Sequence, residues 1–176
     1  MTEHPAPAGL RWLPPFLFRA ERWPAYVGKA WLLALLPSLA LAWLVSLVLP
    51  DASGPNFGNP QDAVGEGLLA LSLVVIGPFL ETLIMAALLL ALRPLLGLAG
   101  AAIASALAWG LLHSFGGLAL GGPAVPAWGL VVWWPFLILS IAFLTWRPRG
   151  AWLAIGTATV IHGLQNAVAA SALLLS

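Results

Sequence analysis

The stretch Gly77-Pro-Phe-Leu-Glu81-Thr-Leu-Ile-Met85 decides the fold, because it places one carboxyl group inside a long apolar run. Apart from Glu81, every residue from Leu68 to Leu92 is apolar or small. At about 1.5 Å rise per residue, a helix of this length crosses a hydrocarbon core about 30 Å thick. Glu81 is therefore predicted near the middle of a membrane. A charged side chain there costs roughly 2.5 to 3.5 kcal/mol on insertion, so such groups usually face a polar interior and mark a functional site.

Pro78 and Gly77 predict a break in this helix just before Glu81. Pro78 has no backbone N–H and would leave the carbonyl of Val74 without its helical partner. Inside a membrane, such a carbonyl is satisfied by water, a neighbouring helix or a local adjustment, which favours a wet or protein-lined cavity. A purely structural kink, with a protonated Glu81 bonded to another helix, is the alternative interpretation.

The composition places the whole chain in the membrane. Of its 176 residues, 61% are apolar and 7% are charged, which exceeds what a soluble core of this size needs. The chain has no Cys, which excludes disulfides, thiolate metal ligands and a Cys nucleophile. Its net charge of +1 gives no indication of nucleic-acid binding.

The apolar runs predict an all-α, polytopic integral membrane protein with about five transmembrane helices. Turns rich in Gly, Pro and Arg separate the runs, among them Arg93-Pro94, Gly121-Gly122-Pro123 and Arg147-Pro148-Arg149-Gly150. An acidic Gly/Pro/Asn stretch from Asp51 to Glu66 is predicted as an exposed loop. The five predicted spans are Ala30 to Leu49, Leu68 to Leu92, Leu98 to about Leu120, Pro126 to Trp146, and Ala151 to Leu175.

The N-terminal part, 1–29, is predicted as a separate segment before a single transmembrane domain, 30–176. Residues Met1 to Pro7 are predicted to be disordered, and Gly9 to Gly28 mixes basic and aromatic residues with prolines. This pattern favours short helical pieces lying on the membrane surface. A cleaved signal peptide is disfavoured, because the leader is long and the apolar run continues past Ala42.

Basic residues set the predicted orientation. If every run spans, the leader, Arg93 and the turn at Arg147 and Arg149 share one face, while the other face has no basic residue. By the positive-inside rule the N-terminus is predicted to be cytoplasmic and Ser176 to lie outside.

Besides Glu81, the strongest polar candidates inside the spans are His113, His162 and Asn166. His162 and Asn166 are four residues apart and project from one helix face, and Gln165 borders that face as an interhelical hydrogen-bonding residue. Counted from the cytoplasmic turns, Glu81, His113 and His162 lie roughly 18, 22 and 16 Å along their helices. Three helices are therefore predicted to bring polar groups to one cavity.

Three chemistries suit such a cavity. A carboxylate can activate water for amide hydrolysis while His and Asn donors hold the oxyanion. Two His and one carboxylate can instead bind zinc, but His-Glu-x-x-His is absent and Asn is a poor zinc ligand. A proton relay lacks a second intramembrane carboxyl and an internal repeat. Hydrolysis accounts best for the Asn.

The motifs resemble those of the CAAX protease and bacteriocin-processing (CPBP) family of glutamate-type intramembrane proteases. That family carries Pro-x-x-Glu-Glu-x-x-x-Arg, Phe-x-x-x-His and His-x-x-x-Asn on successive core helices. This chain has Thr82 and Ala86 where the first motif has its second Glu and its Arg, and Trp109 where the second motif has Phe. The matching stretches are Pro78-x-x-Glu81, Trp109-x-x-x-His113 and His162-x-x-x-Asn166, in order over about half the chain.

The resemblance implies a role for each matched residue. Glu81 would be the general base, His113 its partner, and His162 and Asn166 the oxyanion donors, with Pro78, Thr82 and Trp109 in support. It implies a peptidase that needs no cofactor, acting on a membrane-anchored protein or peptide in a lipid bilayer, in the bacterial inner (plasma) membrane. A non-catalytic membrane binding or immunity protein of the same fold is the alternative function.

Overall fold

The computed structural model describes residues 6–49, 66–119 and 126–174, and every regular element among them is helical. Two short 3₁₀ helices, Ala8–Leu10 and Pro15–Phe18, precede the first long helix, and a third, Arg147–Arg149, joins the last two. The long elements are α1 (Trp23–Val48), α2 (Glu66–Leu71), a π-helical segment (Ser72–Ile76, the π-segment), α3 (Gly77–Ala119), α4 (Pro126–Trp146) and α5 (Ala151–Leu174).

Four helices in the described part are long and apolar enough to cross a membrane. The predicted all-α membrane fold is therefore confirmed. The second of these helices has 50 residues, so it would be about 75 Å long if straight, more than twice the hydrocarbon thickness. Their bounds are Trp23–Val48, Gly67–Gly116, Pro126–Arg149 and Ala151–Ser171.

This long helix folds back on itself at Gly97. Gly97 has φ 67° and ψ −174°, a conformation that glycine adopts without steric cost. Glu81 and His113 would lie about 48 Å apart on a straight helix, yet both side chains lie close to His162. The two halves of α3, 77–96 and 98–119, therefore run side by side as the second and third predicted spans.

The helix bounds correct two expectations. The break predicted at Arg93-Pro94 occurs at Gly97 instead, and Pro94 lies inside the helix. The first helix begins at Trp23 rather than Ala30, because Pro24 occupies one of its first two positions, where a missing N–H costs nothing. The boundary predicted at residue 29 therefore falls inside α1.

The N-terminal segment packs on the helical bundle. Its predicted helical pieces are the two 3₁₀ helices, and the side chains of Leu10, Leu13 and Leu17 are buried. The carbonyl oxygen of Leu17 accepts hydrogen bonds from the Tyr26 hydroxyl at 3.1 Å and from Thr145 Oγ1 at 2.8 Å. The apolar side chains of this segment thus belong to the core. Residues 1–5 and the turns predicted at 51–65 and 121–123 lie outside the described residues.

Helix α4 is the centre of the bundle. It is the most buried of the candidate spans, and it contacts α1, α3 and α5. Gly110 and Gly129 let the second half of α3 approach it closely, because a Cβ on Gly129 would lie 2.6 Å from the carbonyl oxygen of Gly110. Phe136 on α4 is thereby held between the second half of α3 and α5.

Candidate functional site

Glu81 and His162 meet between α3 and α5. Glu81 Oε2 lies 3.7 Å from His162 Nε2, which is an ion-pair distance but too long for a hydrogen bond. The His162 side chain is 6% exposed, whereas the Glu81 side chain is 31% exposed. The carboxylate is thus accessible from one side while its partner is enclosed.

His113 reaches the same region through an aromatic cluster. Its Nδ1 lies 2.9 Å from the carbonyl oxygen of Trp109, so Nδ1 carries the hydrogen and Nε2 of the neutral ring is left as an acceptor. The Trp109 ring stacks on Phe136, with centroids 4.5 Å apart. Phe136 in turn contacts both imidazoles, at 5.7 Å from His113 and 5.2 Å from His162. The Phe136 ring therefore lies in contact with both histidines and links them.

Asn166 donates a hydrogen bond to the π-segment. Its Nδ2 lies 3.0 Å from the carbonyl oxygen of Leu73. In an α-helix this carbonyl would accept from Gly77 N–H, but Gly77 N–H donates to the carbonyl of Ser72 instead. The next residue, Pro78, has no N–H to give. The Leu73 carbonyl therefore has no helical donor from Gly77 or Pro78, and Asn166 supplies one.

The contact between the π-segment and α5 requires a glycine. A Cβ placed on Gly163 would lie 2.6 Å from the carbonyl oxygen of Val74. Real Cβ atoms do not approach backbone oxygen this closely, so only glycine allows the present separation of the two elements. Gly163 lies next to His162, and the close approach sets the position of His162 relative to the helix that carries Glu81.

Several buried polar atoms beside this contact have no hydrogen-bond partner in the part of the chain that the structure describes. Thr82 is 1% exposed and its hydroxyl is one of them. Gln165 Oε1 is another, so this atom does not make the interhelical hydrogen bond predicted for Gln165. Unpaired polar groups are costly in a membrane, which makes these atoms suited to a polar group brought by a ligand. The set is Thr82 Oγ1, Thr159 Oγ1, His162 Nδ1 and Gln165 Oε1.

The candidate residues do not form a metal-ligand cluster. Among the described residues, no three His, Cys, Asp or Glu side chains are arranged so that they could share one ion. Glu81 and His162 are paired, but His113 has neither a hydrogen bond nor an ion pair with Glu81 within those residues.

The structure thus brings together the residues predicted from the sequence but pairs them differently. Glu81 contacts His162 rather than His113, and one N–H of Asn166 is used by Leu73. The sequence analysis did not predict that Phe136 packs against the candidate residues. The available signal was its neighbour Pro135, a proline inside the fourth predicted span. The sequence analysis also missed Gly163, whose signal was a glycine between two polar residues of one helix.

Comparison of the chain with family models, with curated proteins and with solved structures finds no match. Membership of the CPBP family therefore stays a prediction that rests on the three motifs and their arrangement.

Proposed function

We propose that this chain is a glutamate-type intramembrane peptidase of the CPBP family, with Glu81 as its water-activating base. The observation that carries the proposal is the 3.7 Å contact between Glu81 and His162, made inside a bundle of apolar helices. An intramembrane carboxylate facing a polar group on another helix is typical of a functional site. The substrate class that fits is a peptide bond in a membrane-anchored protein or peptide.

In this mechanism, Glu81 removes a proton from water while the water oxygen attacks the carbonyl carbon of the scissile peptide bond. His113 Nε2 accepts a hydrogen bond from the same water, a role that its bond to the Trp109 carbonyl leaves open. The C–N bond then breaks, and the proton held by Glu81 passes to the leaving nitrogen.

His162 and Asn166 supply the donors for the oxyanion. The amide of Asn166 has two N–H groups, of which one donates to Leu73 and the other makes no hydrogen bond within the described residues. His162 Nδ1 has no partner among the described residues, and it is a donor in the protonated ring, the form that pairs with Glu81 through Nε2. Donors fixed by packing lower the barrier because they need no reorganisation when negative charge develops.

The direct test is Glu81→Gln, which keeps the side-chain size and removes the base. The assay uses fluorescence-quenched, single-span peptides reconstituted with the full-length protein in liposomes. We expect turnover to fall roughly 10² to 10⁴-fold, the usual contribution of a positioned acid–base group. Glu66→Gln, the same change at the first residue of α2, is the control and should retain activity.

Two further measurements could contradict the proposal: the biological function of Glu81→Gln, and the zinc content of the active protein. Full biological function in Glu81→Gln would favour the non-catalytic binding or immunity protein. One zinc per chain, lost together with activity on chelation, would make Glu81 a metal ligand rather than a base.

The proposed location is the bacterial inner membrane, with the N-terminus cytoplasmic. The support is the position of the chain's seven basic residues, all of which lie in the N-terminal segment, the start of α1, the end of the first half of α3 and the 147–149 turn. Reporter fusions after Ser176 and within 54–59 should both report outside, and a cytoplasmic signal after Ser176 would reverse the orientation.

A further inference from the structure

A second concave site lies away from Glu81, beside the N-terminal segment. It is a cavity of about 300 Å³ between the second 3₁₀ helix and the first two turns of α1. Phe16 and Tyr26 form its aromatic wall, with ring centroids 6.0 Å apart in an edge-on arrangement. Its charged lining consists of Arg19, Glu21, Arg22 and Lys29.

The charged groups of this cavity favour an anion. Arg22 and Lys29 both line it, and Lys29 Nζ lies 5.7 Å from the centroid of the Phe16 ring, which holds it at the wall. Arg22 and Lys29 are both exposed, so their charged groups are accessible to a ligand from outside.

The start of α1 adds to this preference. The helix has no side-chain cap and no acidic residue in its first turn, although it is 26 residues long. Unpaired N–H groups at a helix N-terminus carry partial positive charge. Arg22, immediately before the helix, is the one residue other than glycine with positive φ in the described part of the chain, at φ 41°. This turn places the N-terminus of α1 at the cavity, where Ala25 forms part of the lining.

The cavity lies at the basic end of the bundle. The Tyr26 ring contacts Trp146 edge-on at 5.3 Å, and the guanidinium of Arg149 lies 5.3 Å from the Trp146 ring. The cavity and the 147–149 turn therefore share one end. By the positive-inside rule this end faces the leaflet that carries anionic lipids.

An exposed apolar stripe runs from the cavity along α1. Its residues follow Lys29 at alternating spacings of three and four, so they share the face of Lys29. From Lys29 to the end of the stripe is about 21 Å, which exceeds the roughly 15 Å depth of one leaflet's hydrocarbon. The stripe consists of Leu32, Leu36, Leu39 and Trp43, which are 46, 59, 49 and 62% exposed.

We propose that this cavity binds one anionic phospholipid, with its phosphate between Arg22 and Lys29 and an acyl chain along the α1 stripe. A free phosphate would use the charges alone. The cationic cavity continues into an apolar stripe that is long enough to cross the hydrocarbon of one leaflet. This combination favours the lipid over the free phosphate.

The test is native mass spectrometry of the full chain in non-ionic detergent, titrated with phosphatidylglycerol or with phosphatidylcholine of the same acyl chains. We expect one preferred phosphatidylglycerol per chain. Each basic residue near an anionic lipid contributes about fivefold in affinity, so R22Q/K29Q should lose roughly 30-fold for phosphatidylglycerol. R11Q/R93Q removes the same charge from exposed positions outside the cavity and should bind as the unmodified protein does. Helical content by circular dichroism checks the fold of both variants.

Removing the negative charge in the lining should have the opposite effect on lipid affinity, which makes the test sharper. Glu21→Gln removes the carboxylate from the lining and should raise phosphatidylglycerol affinity by about fivefold. Equal affinity for both lipids, or equal losses in R22Q/K29Q and R11Q/R93Q, would overturn the proposal. Displacement of the bound lipid by inorganic phosphate would identify an anion site that does not recognise the lipid.

Discussion

Two helix crossings in this protein depend on glycine, and they differ in what surrounds the close approach. At the crossing of α3 and α4, a Cβ on Gly129 would overlap Ser114 Oγ and would lie 2.6 Å from the Gly110 carbonyl oxygen. At the crossing of the π-segment and α5, a Cβ on Gly163 would lie 2.6 Å from the Val74 carbonyl oxygen. Small residues let helix backbones approach in both places.

The polar groups distinguish the two crossings. Between α3 and α4 the serines are paired: Ser114, beside Gly129, donates its hydroxyl to the carbonyl of Pro126, and Ser140, about three turns further along α4, donates to Ser105. Near Gly163 several buried polar atoms lack partners, and the helix is distorted into a π-turn before Pro78. Natural proteins retain such local conflicts mainly at functional sites. The first crossing is thus a packing contact, and the second has the features of a site.

The largest expected effect is that of Gly129→Ala. The added methyl meets backbone atoms of Gly110 as well as Ser114, so the two helices must separate, which costs about 1 to 3 kcal/mol of unfolding free energy or more. Thermal denaturation in detergent measures the loss. Gly116→Ala is the control, because a Cβ there has no neighbour within 4 Å and the better helix former should not destabilise. Similar stability of both variants would show that the crossing is loose.

Gly163→Ala should lower the unfolding free energy less than Gly129→Ala does, but it should reduce peptide cleavage more. Its methyl meets a single backbone oxygen, and the π-segment is held by fewer contacts than α4. Displacing this segment should separate Glu81 from His162 and reduce peptide cleavage in the liposome assay by at least tenfold, since small misplacements of catalytic groups reduce rates strongly. Gly156→Ala on the same helix has open space around it and should retain activity. Unchanged cleavage in Gly163→Ala would show that this crossing does not position the catalytic residues.

A double-mutant cycle tests the hydrogen bond from Asn166 to Leu73. Asn166→Ala should cost about 1 kcal/mol, typical of an interhelical hydrogen bond in a membrane protein. Pro78→Ala restores a backbone N–H that can pair a freed carbonyl, so Asn166→Ala should cost about half as much in that background. Chemical denaturation of the four proteins gives the coupling. Additive costs would mean that Asn166 does not compensate for the proline.

The smallest expected effect is that of replacing both serines, Ser105 and Ser140, that pair between α3 and α4. Ser140 Oγ and Ser105 Oγ are 3.3 Å apart, and both side chains are fully buried. Ser105→Ala or Ser140→Ala alone leaves one hydroxyl unpaired and should destabilise by about 1 kcal/mol, whereas the double variant removes both partners and should be close to neutral. A double variant less stable than either single one would indicate that the hydroxyls fill space that alanine leaves empty.

Sequence patterns predicted the helical membrane class and the meeting of three polar residues, because both follow from hydropathy and rise per residue. Run lengths predicted a second span at 68–92, where the structure has continuous helix from 66 to 96, and they predicted the last three spans to within a few residues of 98–119, 126–146 and 151–174. The exact turn at Gly97 was missed because Pro94 is the stronger breaker in sequence, whereas the reversal needs a positive φ that proline cannot adopt.

The pairing within the site could not be predicted from the sequence. Whether Glu81 meets His113 or His162 depends on the rotation of three helices about their axes, which packing at Phe136 and Gly163 sets. The π-segment likewise depends on an acceptor–donor pair, Leu73 and Asn166, separated by 93 positions in the chain. Local propensity carries no information about a partner that distant.

The hydrogen bond at the Leu17 carbonyl constrains the order in which the protein assembles during synthesis. The hydrogen bond from Thr145 joins positions 128 residues apart, so this contact can form only after α4 has been made. At the usual 5 to 20 residues per second, ribosomal synthesis separates the two residues by roughly 6 to 26 seconds. During that interval, the buried leucines of the N-terminal segment lack their final neighbours on α4. The Pro15–Phe18 helix is therefore synthesised before the helix it packs against, and it reaches its native position only after α4 has been made.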